Sequence, residues 1–187
     1  MNNNILQTDH ICPWWICWAF DNPLRRLVHD PINILSPYVH PGDRALDLGC
    51  GMGHFTFGLA DLVGDTGQVI AVDLQEKMLA GVRRRAERMG WLPRIQLHLG
   101  SLLKIGVAQV VDFVLAFWMV HEVRDQEALF TEIYDLLKPG GKLLLVEPQI
   151  HVSQDAFNAT VARAADIGFR TAANPKVHLS RAVLFHK

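Results

Sequence analysis

The sequence predicts an α/β protein built on a doubly wound, mostly parallel sheet of seven strands. Three observations lead there. From Arg44 onward, short apolar runs of strand length alternate with stretches of helical period. The first run, Ala45-Leu46-Asp47-Leu48, empties into the turn Gly49-Cys50-Gly51-Met52-Gly53 before a helical pattern starts at His54. The second run, Val69-Ile70-Ala71-Val72, ends on the acid Asp73. Alternating strand and helix imply parallel strands, right-handed crossovers and helices on both faces.

Taken in order, residues 1–10 are polar and form a loosely held terminus. Residues 11–40 are divided by Pro13, Pro23, Pro31 and Pro37, and short helices are expected to start near Pro23 and Pro31, since proline suits a first helical turn. This front part, residues 1–40, is read as a helical and aromatic lid segment ahead of a single domain, residues 41–187. Strands are expected near 44–48, 68–72, 94–99, 110–116 and 142–147. The first helix presents Phe55, Leu59, Leu62 and Val63 on one face, and the second Met78, Val82, Ala86 and Met89. A short helix is expected from Ser101, and the next carries Leu129, Ile133, Leu136 and Leu137. A helix over 153–166 precedes two further strands, Gly168-Phe169-Arg170-Thr171 and Ala182-Val183-Leu184-Phe185-His186.

In a doubly wound sheet, ligands sit at the carboxyl ends of the strands, where the strand order reverses. Gly49, Asp73, Ser101, Phe117 and Pro148 all fall at such ends, so one crevice collects them. A strand feeding a glycine-rich turn and a helix N-terminus is a nucleotide-binding corner. Asp47 decides which nucleotide. A fixed carboxylate beside the turn repels a diphosphate and attracts an ammonium group. The dinucleotide fingerprint also needs a small third residue, where this chain has His54. The corner therefore suits a nucleoside carrying an amino acid, and S-adenosylmethionine (S-adenosyl-L-methionine) is that ligand.

With these features the chain resembles the class I S-adenosylmethionine-dependent methyltransferases from about Asp43 to Lys187. The resemblance rests on Leu46-Asp47-Leu48-Gly49-Cys50-Gly51-Met52-Gly53, Val72-Asp73-Leu74 and Asp112-Phe113-Val114-Leu115. It continues in Leu136-Leu137-Lys138-Pro139-Gly140-Gly141 and in Lys142-Leu143-Leu144-Leu145-Val146-Glu147-Pro148. It implies a Rossmann-like methyltransferase fold with an antiparallel last strand. It also implies that Gly49, Gly51 and Gly53 admit the methionine part of the cofactor, that Asp47 holds its ammonium group, and that Asp73 accepts both ribose hydroxyls. Leu74 would pack on the adenine. Many relatives place Gly-Asp after the third strand; here Gly100-Ser101 stands there, and an uncharged hydroxyl makes a weaker adenine contact. Ser101 could equally cap the helix expected after it.

Phe117-Trp118-Met119-Val120-His121-Glu122 follows the fourth strand, where a methyl acceptor approaches the sulfonium. Aligning nucleophile, methyl carbon and sulfur can remove roughly 7–11 kcal/mol from the barrier without acid or base. An aromatic face beside a sulfonium adds about 0.5–2 kcal/mol. Phe117 and Trp118 are placed to give shape and this attraction. His121 is the candidate base for a hydroxyl or amine acceptor, because an imidazole titrates near neutrality. Its alternative role is a hydrogen bond to backbone at the next helix, and Glu122 reads as an N-terminal helix charge. Trp14, Trp15, Trp18 and Phe20 crowd the front segment, where Trp14 and Trp15 are expected to close over the crevice and wall the acceptor pocket.

Composition narrows the partners. The chain has 187 residues, half of them hydrophobic, and a net charge of −1, which suits one well-cored domain and argues against phosphate tracking along nucleic acid. Arg83, Arg84, Arg85 and Arg88 read as a solvated helix face. Three cysteines and no secretory signal fit a cytoplasmic protein, and the apolar run from Ile11 to Phe20 is too short to span a bilayer. His10, Cys12 and Cys17 lack a paired Cys-x-x-Cys knuckle, so no metal is expected. The resulting expectation is methyl transfer to a small-molecule acceptor, the alternative being a non-catalytic S-adenosylmethionine-binding or partner-binding module. A nicotinamide-dependent oxidoreductase is disfavoured by Asp47 and His54.

Overall fold

Strand polarity and crossover length set the architecture of residues 27–187, the part that the computed structural model describes. In chain order the elements are α1 (Pro31–Leu35), β1 (Arg44–Leu48), α2 (His54–Val63), β2 (Gln68–Asp73), α3 (Glu76–Met89), β3 (Ile95–Leu99) and β4 (Val111–Phe117). They continue with α4 (Gln126–Leu136), β5 (Leu137–Pro148), α5 (Gln154–Ile167), β6 (Arg170–Ala173) and β7 (Ser180–His186). The strands form one seven-stranded sheet in the order β3-β2-β1-β4-β5-β7-β6. The pairs among β1 to β5 are parallel, and β7 runs antiparallel to both β5 and β6. The order reverses between β1 and β4, which opens a crevice at their carboxyl ends.

Side chains alternate along a strand, and here both faces are apolar because both are covered. Ala45, Val69, Ala71, Phe113, Leu115, Leu144 and Val146 face one cluster with Leu35 and Val39, Phe55 and Leu59 of α2, and Val82 and Ala86 of α3. Leu46, Leu48, Ile70, Val72, Val114, Leu143 and Leu145 face a second cluster with Phe130 and Ile133 of α4 and Phe157 and Ala164 of α5. This parity decides which face each strand-terminal acid leans toward. Asp47 and Asp73 share the register of the first cluster, Glu147 that of the second.

Most expected elements appear within two residues of their predicted ends. The helix expected from Ser101 does not form. Ser101 and Lys104 instead close a turn on each other, Ser101 N–H to Lys104 carbonyl at 3.0 Å and Lys104 N–H to the Ser101 hydroxyl at 3.1 Å. Beyond it Gly106 takes a left-handed φ of 76°, and Glu132 of α4 accepts from Ile105 N–H and Gly106 N–H, both at 2.8 Å. Those amides are thereby taken by a side chain rather than by a helix. Two further assignments change. Met89, counted on the buried face of α3, is half exposed, and Leu137 opens β5 instead of closing α4. The arginine face of α3 is solvated at Arg83, Arg84 and Arg88, whereas Arg85 folds back to donate to the Met52 carbonyl at 2.7 Å. Among the described residues, no helix is long and apolar enough to cross a membrane.

Phe130 is fully buried and meets Phe169 edge-on, with ring centroids 6.3 Å apart. Phe130→Ala should cost roughly 3–5 kcal/mol through lost burial and a residual cavity. Urea unfolding measures it, and a loss below about 1 kcal/mol would contradict a close-packed second face.

Candidate functional site

The β1–α2 corner is shaped by backbone that only glycine adopts readily. Gly49, Gly51 and Gly53 have φ of 69°, 53° and 89°. At Gly53 a Cβ would lie 2.8 Å from the Phe57 ring, so this glycine lets α2 turn tightly. At Gly51 a Cβ would meet no atom within 4 Å, and the backbone there borders open space. That combination, an exposed backbone corner beside a vacant volume, fits the methionine portion of S-adenosylmethionine. At Gly49 a Cβ would stand 3.1 Å from Met119 Cβ, which shows how closely the loop after β4 approaches the corner.

Two buried carboxylates flank it. Asp73 is 9% exposed and accepts from Gly51 N–H at 2.9 Å and Gln75 N–H at 2.8 Å. Burial raises its pKa above the ordinary value, and the amides of Gln75, Gly51 and Leu74 oppose that rise. A carboxylate offers about four acceptor positions, so capacity for further donors remains. The bond from Gln75 N–H, the residue just ahead of α3, therefore does not use up the group. Asp47 is 2% exposed and accepts from the Thr56 hydroxyl at 2.5 Å. Cys50 sits between these acids; burial, then Asp47 and Asp73, push its thiol well above the usual range, so it stays protonated. Leu74 is partly exposed at the lip. Gly100 N–H donates to the Asp73 carbonyl at 3.0 Å, which holds the start of the Ser101 turn beside the same strand end.

An aromatic wall lies across the crevice. Phe117 ends β4, buried, with Phe55 at 4.2 Å and Trp118 at 5.5 Å between ring centroids. Trp118 takes a φ of 58°, a region that costs a non-glycine residue about 1–2 kcal/mol. Its contacts over-determine it: its amide donates to the Val146 carbonyl at 2.7 Å and its indole N–H to Ser180 Oγ at 2.9 Å. His29, buried, meets both rings edge-on at 5.2 and 5.0 Å. Its Nε2–H donates to the His178 carbonyl, and His54 Nε2–H donates to the His29 carbonyl, both at 2.8 Å. These contacts were not foreseen; the signal available was a histidine immediately before the helix cap Asp30. Trp14 and Trp15 lie outside the described residues, as do His10, Cys12 and Cys17.

His121 lies in a 3-10 turn, Val120–Glu122, four residues ahead of α4. Asp125 caps that helix by accepting from Ala128 N–H, so Glu122 is not its N-terminal charge. The backbone partner anticipated for His121 is replaced by a side chain. Glu147, 1% exposed, accepts from His121 N–H at 3.2 Å and from His121 Nδ1–H at 2.5 Å. That hydrogen bond, above all, raises the His121 pKa; partial burial opposes it. The Glu147 role was missed, although an acid ending an apolar strand is the same signal that singled out Asp47 and Asp73. His151, exposed, stacks beside His121 at 6.3 Å. Among the described residues, no cluster of three or more His, Cys, Asp or Glu could hold a metal ion.

Comparison with known proteins agrees with this geometry. Residues 39–174 match the model of a family described as a methyltransferase domain. The demethylmenaquinone methyltransferase of Symbiobacterium thermophilum is 34% identical over 115 residues, covering 61% of this chain and 46% of the relative. The enzyme of the same name from Lactobacillus johnsonii is 36% identical over 110 residues, covering 58% and 45%. The chain thus spans about half the length of these curated relatives. A SAM-dependent methyltransferase from Aquifex aeolicus shares the fold, with a TM-score of 0.84 at 21% identity over 94% of this chain and 99% of that one. With the family model spanning most of its length, a reversed strand order at β1–β4 and an acid-flanked glycine corner, the chain belongs to the class I S-adenosylmethionine-dependent methyltransferase family.

Proposed function

We propose that this chain methylates a small molecule from S-adenosylmethionine, holding the acceptor at the carboxyl ends of β4 and β5. The observation that carries this reading is the open, left-handed backbone at Gly51 beside the buried carboxylates of Asp47 and Asp73. When bound, the cofactor supplies a methyl group on a sulfonium that needs no further activation. Gly49, Gly51 and Gly53 admit its amino-acid portion, and Asp47, steadied by Thr56, receives the ammonium group directly or through water. Asp73 accepts the ribose hydroxyls, charge-assisted bonds that neutral partners cannot match. Leu74 covers the adenine, with Gly100 and Ser101 at its edge.

Phe117 and Trp118 shape the acceptor side, and of residues 1–40 the part ahead of α1 acts as a lid in which Trp14 and Trp15 exclude water, while Leu35 and Val39 belong to the core. His121 serves as the base for acceptors that arrive protonated. The demethylmenaquinone methyltransferases matched by this chain support an acceptor of small-molecule type, and the near-neutral net charge does not favour nucleic acid.

Asp73→Ala should weaken S-adenosylhomocysteine binding by about 1.5–3 kcal/mol, the worth of a hydrogen bond to a charged group. Calorimetry reads this directly, and unchanged affinity would remove the ribose role. Trp14→Ala combined with Trp15→Ala should raise KM for a turned-over acceptor while leaving cofactor affinity alone; an unaltered KM refutes the lid. The His121 pKa is raised, so its neutral, proton-accepting form accumulates only above a midpoint higher than 6.5. The rate should accordingly climb with pH through that midpoint in the parent chain and lose that step in His121→Ala. A parental pH profile in the variant would rule out the base.

A further inference from the structure

Both oxygens of Glu147 are given to one residue. Oε1 accepts from the His121 backbone amide and Oε2 from its Nδ1–H, although Glu147 is nearly inaccessible beneath the strand end. Burying a carboxylate is costly unless it meets a strong partner, and a structural tie at this position could be made by a neutral side chain. The opposite nitrogen, Nε2, has no hydrogen bond among the described residues, and about a quarter of the His121 side chain (26%) reaches solvent. The other titratable groups facing the ring are Glu122, whose charge also favours the imidazolium, and His151.

We infer that Glu147 is a positioning residue that keeps the His121 proton on Nδ1, so that Nε2 takes the proton of a hydroxyl borne on a planar acceptor. The inference rests on the crevice being a methyl-transfer site, as proposed above. A carboxylate bonded to one imidazole nitrogen fixes the tautomer and leaves the other nitrogen basic. An acceptor such as a thioether or tertiary amine carries no proton to remove, and the dyad would be idle with it. With a hydroxyl, the O–H bond breaks, its electron pair stays on oxygen, and the proton moves to Nε2. The resulting imidazolium is neutralised by Glu147, and the proton then leaves from the exposed ring edge. The flat walls of Phe117 and Trp118, inclined at 33° to each other, suit a planar ring.

Histidine-labelled full chain, followed by ¹⁵N NMR across pH, tests this, with His121→Gln assigning the resonance. Neutral His121 should carry its proton on Nδ1, and Glu147→Gln should lower its midpoint by about one pH unit, tenfold in proton affinity. A planar phenol, 2-naphthol, should ionise at lower pH when bound to the parent chain than when free, and lose that shift in Glu147→Gln. A proton on Nε2 in the parent chain overturns the inference without any variant, which covers a variant that fails to fold. An unmoved midpoint in folded Glu147→Gln, or 2-naphthol bound with its free ionisation, overturns it as well. Calorimetry with S-adenosylhomocysteine on the same samples separates the two readings. No affinity in the parent chain sinks the methyl-transfer reading alone, whereas equal affinity in parent and variant alongside a shifted midpoint supports the dyad.

Discussion

The Asp73 carboxylate is the joint on which the crevice depends. It ends β2, yet one oxygen takes an amide from the glycine corner after β1 and the other takes an amide at the start of α3. The corner after β1, the end of β2 and the start of α3 are thus tied at one buried anion. Hydrogen bonds to a charged group stabilise by about 1.5–3 kcal/mol each, less than the several kcal/mol it costs to withdraw a carboxylate from water. The raised pKa shows that burial outweighs the amides. A site in that condition gains from any further donor, and a vicinal diol supplies two.

The second constraint is the closeness of β1 and β4 at the reversal of strand order. Gly49 is the residue that tolerates it, since a side chain there would run into Met119. The loop after β4 is pressed against the corner, and Trp118 absorbs the bend in a left-handed conformation held by Val146 and Ser180. Strain of about 1–3 kcal/mol persists only where neighbours over-determine it, and such places cluster at functional sites. His29 and His54 complete the enclosure by tying the segment before α1 to the loop before β7 and to the N-terminus of α2. The aromatic wall is therefore assembled from three separate stretches of chain.

That assembly explains what could be read from the sequence. Strand ends, the glycine corner and the acids at 47 and 73 were legible because each is a local pattern with a fixed period. The turn at Ser101 was not, because serine favours a helix cap and a closed turn alike, and Glu132, distant in sequence, settles it. Met89 obeys the helical period yet stands near the open end of α3. The pairing of His121 with Glu147 joins residues 26 apart through the β4–β5 register, which no local pattern encodes. His29 is farther still from His178, at a separation of 149 residues.

Strand parity divides the three acids between the two faces of the sheet. Asp47 and Asp73 lean toward the face covered by α2 and α3, and Glu147 toward that covered by α4 and α5. Glu147 is two strands from Asp47 and, by register, three residues farther along, about 14 Å by ordinary sheet spacing. At an effective dielectric of about 20, unit charges at that distance interact by only about 1.2 kcal/mol, less than one pH unit. The acids proposed to hold the cofactor and the acid paired with His121 are then only weakly coupled electrostatically. The same arithmetic bears on His121. A sulfonium in the crevice would lower the proton affinity of a bare imidazole, and an anion in direct contact more than offsets a cation several ångströms farther away. On the proposed reading, Glu147 is what lets a base operate beside a cationic methyl donor.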